Sequence, residues 1–96
     1  MSTRFAVEIA EEGRSGRVRY SESLGSHDFY WEFGGGEAVV LIGVPTPAEW
    51  PRVVPWAAGR RSEILERLAA ELCRQRCPGC RPVISDSWLE LLEPSR

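Results

Sequence analysis

An α+β fold is predicted for this chain, an antiparallel sheet of four to five strands with one long amphipathic helix packed on one face. Three observations predict it. Apolar and polar residues alternate through the N-terminal part of the chain, glycine-bearing turns separate these stretches, and a single apolar helical stripe lies between residues 59 and 76. Strands with a period of two need one covered face, and a helix with one apolar stripe supplies the cover.

The elements follow in order. Arg4 to Ala10 sets Phe5, Val7 and Ile9 on one side and Glu8 on the other, a half-buried strand. Residues 11–16 are polar and carry Gly13 and Gly16, which marks a hairpin loop. Arg17 to Ser21 alternates again, with Val18 and Tyr20 inward and Arg17 and Arg19 outward. After a turn around Gly25, Ser26 and His27, Asp28 to Phe33 places Phe29, Trp31 and Phe33 on one face. Gly34, Gly35 and Gly36 then give a hairpin turn, because glycine adopts the positive φ that tight turns require. Glu37 to Val44 is almost wholly apolar and rich in β-branched residues, the pattern of a central strand covered on both faces.

Four prolines between Pro45 and Pro55 end this meander. Thr46, Pro47 and Glu49 form a capping-box start, and Trp50-Pro51 limits the helix to about one turn. The main helix is expected from Ala57 or Gly59 to Arg76, with Ile64, Leu65, Leu68, Ala69 and Leu72 inward and Glu63, Glu66, Arg67 and Arg74 outward. Cys77, Pro78 and Gly79 stop it. Val83 to Leu92 reads as a fifth strand, with a short helix over 87–92 capped by Asp86 as the alternative, so the expected order is β-β-β-β-α-β. Trp31 is expected in the core and Trp88 under the helix.

With 96 residues, 1–96 is expected to form one α+β domain, burying roughly 60–70% of its unfolded surface without staples. The N-terminus lacks a signal-type apolar stretch, and the run from Ala38 to Val44 is far below the ~20 residues a bilayer needs. A cytoplasmic location without membrane contact is therefore expected, and three cysteines, an odd number, fit a reducing compartment. All 12 basic residues are arginine, the usage of a GC-rich, bacterial type of genome. Without lysine, Schiff-base and P-loop chemistry are excluded. A net charge of −2 gives no general attraction for nucleic acid. The charge is uneven, however, with residues 59–81 basic and residues 21–58 acidic, which suits a protein partner or a second copy.

Several residue clusters are candidates for chemistry. Cys73, Cys77 and Cys80 have the C-x3-C-x2-C spacing of radical SAM cluster motifs, but those enzymes need a barrel of roughly 200 residues, and this motif starts inside a helix. The Cys77-Pro78-Gly79-Cys80 segment is similar to the thioredoxin-like CxxC, yet it closes a helix, where the dipole disfavours the thiolate. A structural zinc site from Cys73, Cys77, Cys80 and His27 stays open as an alternative. His27-Asp28 with Glu32 lacks a convergent nucleophile, so no catalytic residues and no cofactor are assigned. Arg60 and Arg61 at a helix start, with Trp56 upstream, form a candidate anion site.

The leading expectation is a non-catalytic interaction or accessory domain, homodimeric or bound to a protein partner. Its contact surface would be the crossover from Pro45 to Arg61. Trp50, Val53, Val54 and Trp56 would be its apolar centre, with Arg52, Arg60 and Arg61 as polar contacts, whereas the other reading of this segment has Trp50 and Trp56 in a loop folded down to cap an open end of the sheet. The alternative is a small-ligand domain using Arg60 and Arg61 for an anion, or the cysteine cluster for zinc.

Overall fold

The computed structural model describes residues 4–34 and 38–94. It contains β1 (Phe5–Glu12), β2 (Ser15–Glu22), β3 (Gly25–Phe33), β4 (Ala38–Gly43), a short helix α1 (Trp50–Val53), a 3-10 turn at Pro55–Ala57, the helix α2 (Arg61–Arg76), β5 (Arg81–Ile84) and β6 (Trp88–Leu92). The strands form one six-stranded sheet in the order β1-β2-β3-β4-β6-β5, with every pair antiparallel. This is the α+β class expected, with one strand more.

The extra strand comes from the C-terminal segment. Ser85, Asp86 and Ser87 form a turn instead of a helix cap, and they break the expected strand into the hairpin β5–β6. The Ser85 N–H and hydroxyl both donate to the Trp88 carbonyl, at 2.8 and 3.2 Å. Strand β6 then enters the sheet between β4 and β5, and Trp88 lies opposite Gly43. Trp88 thereby faces away from α2 and is 38% exposed, a correction to its expected place under the helix.

The first hairpin turns at Gly13-Arg14, with Gly13 at φ 71°, the glycine-first loop that matches strand twist. The second turns at Ser23-Leu24, so β3 begins at Gly25 and takes in His27. Of the triple-glycine turn, Gly35 and Gly36 lie outside the described residues, as does Glu37 at the expected start of the fourth strand. A register shift between Ala38 and Val40 lets Val39 and Val40 both face the helix side, against Leu91.

One face of the sheet carries Val7, Val18, Tyr20, Phe29, Trp31, Ile42, Leu89 and Leu91, all buried. Against it α2 packs Ile64, Leu65, Leu68, Ala69 and Leu72, the stripe its sequence spacing predicts. The expectation that β4 is covered on both faces is corrected, because α2 covers only one. Each edge of the sheet has one group taken out of pairing. Gln75 Nε2 donates to the Val7 carbonyl on β1, and Pro82 removes a donor from the short β5. Among the described residues, no helix is long and apolar enough to cross a membrane.

Candidate functional site

The crossover is divided: Trp50, Val54 and Ala57 are buried, while nine of the seventeen residues 45–61 are exposed. The capping box forms as expected: Glu49 N–H donates to Thr46 Oγ1 at 3.2 Å, and Thr46 N–H donates to Glu49 Oε1 at 3.3 Å. This turn drives Trp50 into the core, where it is 1% exposed and its indole N–H donates to the Ala57 carbonyl at 2.8 Å. Val54 is fully buried beside it. Trp56 is half-buried, stacks parallel to Tyr20 at 6.4 Å, and lies so close to Gly25 that a Cβ there would meet its ring at 2.7 Å. Only Arg52 and Val53 of the expected contact patch stand in solvent. Trp50 and Val54 thus seal the end of the core, the loop-cap reading of this segment, while Val53 stays exposed and Trp56 half-buried.

The two candidate anion ligands are already engaged. Arg60 donates to both carboxylate oxygens of Glu22, at 2.8 and 3.0 Å, and to Glu63 at 3.0 and 2.5 Å. Arg61 donates only to carbonyls, to Pro45 at 2.9 Å, Ser85 at 3.0 Å and Asp86 at 2.8 Å. It ties the start of the crossover to the β5–β6 turn. Internal acceptors thus engage both guanidinium groups in this structure.

Around Glu22 these contacts form a closed network. Its side chain is 1% exposed, accepts from Tyr20 Oη at 2.6 Å, and lies 3.5 Å from Arg67. Arg67 also reaches Glu63 at 3.0 Å and the Tyr20 hydroxyl at 3.2 Å, and its guanidinium sits 5.5 Å over the Phe5 ring. The hydrogen bonds from Arg60 hold the Glu22 carboxyl below the usual glutamate range, although burial opposes them. Burial and the bond to Glu22 push the Tyr20 hydroxyl up. Every charge here is answered by a neighbour within the chain, which makes the network a clamp between β2 and α2.

The residues of the zinc alternative are not gathered. Gly79, at φ 93°, folds Cys77 and Cys80 to a Cα separation of 5.4 Å, and their sulfurs form a disulfide. Cys73 is a free thiol whose sulfur contacts the Cys80 carbonyl at 3.6 Å, and burial raises its pKa. His27 lies on β3 with its ring edge-on to Phe29 at 4.7 Å, and burial lowers its pKa. Among the described residues, no three metal-ligating side chains converge. Asp28 points to the opposite face and pairs with Arg19 at 2.7 and 3.1 Å, so His27 and Asp28 form no acid–base couple.

The uncovered face of the sheet is the part sequence reasoning missed. Gly43 on β4 lies opposite Trp88 on β6, and a Cβ there would sit 4.0 Å from the Tyr30 carbonyl on β3, which sets Tyr30, Gly43 and Trp88 side by side. The next row holds Glu32, Leu41, Glu90 and Val83. Tyr30 is 51% and Val83 43% exposed, and Leu92 extends the apolar strip beside Arg81. The signal was present in the alternation itself, since Tyr30, Leu41 and Trp88 occupy outward positions that a solvated face fills with polar residues. Comparison with family models, with curated proteins and with solved structures finds no match to this chain.

Proposed function

We propose that this protein is a non-catalytic self-association domain, pairing with a second copy through the uncovered face of its sheet. The apolar row of Tyr30, Gly43 and Trp88, widened by Leu41, Val83 and Leu92, carries this reading. Six strands spaced about 4.8 Å apart make a face wide enough to approach the ~800 Å² per partner of a standard interface. Arg17 and Arg81 flank the strip, and Glu32 and Glu90 lie along it, so the surface holds both signs needed to complement a copy of itself. Face-to-face packing would bury this strip directly, whatever the edges do.

Static light scattering from micromolar to submillimolar concentration tests the proposal. The wild type is expected to move from monomer to dimer mass across this range. A Tyr30→Ser, Trp88→Ser double variant is expected to stay monomeric with little change in melting temperature. A wild type that is monomeric throughout overturns the proposal, and so does a double variant that dimerises as well as the wild type.

A further inference from the structure

Between the C-terminal half of α2 and the helix-facing side of the sheet lies a cavity of about 170 Å³. Its body is formed by Ile9, Val18, Trp31, Ile42, Leu72 and Leu91. Its rim carries Phe33, Cys77 and one ion pair, Arg76 to Glu11 at 2.6 Å. A tightly packed interior leaves few voids of this size, and an apolar cavity of about 150 Å³ is enough to take up benzene. We propose that this cavity binds a single-ring aromatic carboxylate, with the ring among the apolar side chains and the carboxylate on the Arg76 guanidinium.

Size and shape select the ring. A volume of about 170 Å³ is filled by one ring with its substituent at the mouth. Trp31 and Phe33 meet edge to face with centroids 5.2 Å apart, and they offer a third ring further edge or offset contacts. The carboxylate follows from the rim. Arg76 and Glu11 are both about half exposed, at 49 and 48%, so Glu11 can swing into water and give its place to an incoming carboxylate. Glu11 thus acts as the internal competitor for the ligand, holding the guanidinium at the mouth of the empty cavity. Arg60 and Arg61, by contrast, have partially buried internal acceptors that a ligand would have to break away. The site is on the opposite side of the sheet from the proposed dimer surface, and either assignment can fail without the other.

Amide chemical-shift titration with phenylacetate, and with benzyl alcohol as a neutral probe, tests the site. Both are expected to move the amides of Val18, Val40 and Leu72 in the wild type. Arg76→Gln is expected to weaken phenylacetate about fivefold, the size of a half-exposed charge pair, and Glu11→Gln to tighten it a few-fold. Neither change should alter benzyl alcohol binding. Val40→Phe fills the cavity and should abolish binding of both probes; Val39→Phe, at the register shift, serves if that variant does not fold. No shifts at millimolar probe, or undiminished binding in a folded filled variant, overturns the site. Phenylacetate affinity that ignores both Arg76→Gln and Glu11→Gln overturns the carboxylate class.

Discussion

At its N-terminal end α2 is joined to the sheet by charge, and at its C-terminal end by apolar contact around a space. Near Arg60 and Arg67, the Glu22 carboxylate is almost wholly buried and meets three partners. Near Arg76 the ion pair that joins the helix to the sheet, Arg76 to Glu11, is half exposed, and behind it the side chains leave a cavity. Charged groups removed from water must be satisfied in full, so the first end has one geometry. Apolar side chains accept several packings at similar energy, so the second end can keep room for a guest. The difference assigns rigidity to one end of the helix and capacity to the other.

The strongest way to break this comparison is Glu22→Gln. It leaves Arg60 and Arg67 without their shared anion, and about 3 kcal/mol of stability is expected to be lost in urea unfolding. The acid limb of the stability curve should change as well. Because the Glu22 carboxyl titrates lower in the fold than in the unfolded chain, its contribution is complete above the ordinary value of 4.5. That contribution is lost as pH falls through the folded value. Stability of the wild type should therefore drop in acid, and the variant should show a shallower drop over the same range. An unchanged acid limb would mean that Glu22 is not the clamp described.

A smaller effect is expected from the disulfide that closes the other end. Cys77→Ser with Cys80→Ser opens a short loop, and the chain-entropy cost is about 2 kcal/mol. The far-UV circular dichroism should stay native, since Gly79 and the Cys80-to-Cys77 backbone hydrogen bond at 2.9 Å hold the turn without it. Unfolding of the double variant at room temperature would show that the C-terminal end is more tightly held than its packing implies. Arg76→Gln should have the smallest effect on stability, about 0.5 kcal/mol or less, as for other exposed pairs. A loss matching that of Glu22→Gln would erase the contrast between the two ends.

Much of the fold was legible because its signals are local. The alternation of Val18 and Tyr20, and of Phe29 and Trp31, gave the inner face of β2 and β3, and the stripe from Ile64 to Leu72 gave the buried side of α2. What was not legible depends on contacts distant in sequence. The Ser85-Asp86-Ser87 turn reads equally as a helix cap until β4 offers β6 a partner. Trp50 and Val54 read either as an interface patch or as a cap on the sheet, and composition alone does not separate the two. Arg60 and Arg61 look like free cations because their acceptors, Glu22 and the carbonyls of Pro45, Ser85 and Asp86, lie in other elements. The cavity had no signal at all, because an unfilled space belongs to no residue type.

The position of β6 has a kinetic consequence. Strand β4 pairs on one side with β3, its neighbour in sequence, but on the other side with β6, which follows only after the crossover, α2 and β5. Until that pairing forms, the apolar segment Ala38–Gly43 is an open strand edge with unmet backbone donors and acceptors. Closing so long a loop is slow compared with forming the N-terminal hairpins, so a folding chain spends its vulnerable interval with β4 uncovered. Misassembly during synthesis or refolding would then begin at β4, on a surface that the finished molecule conceals.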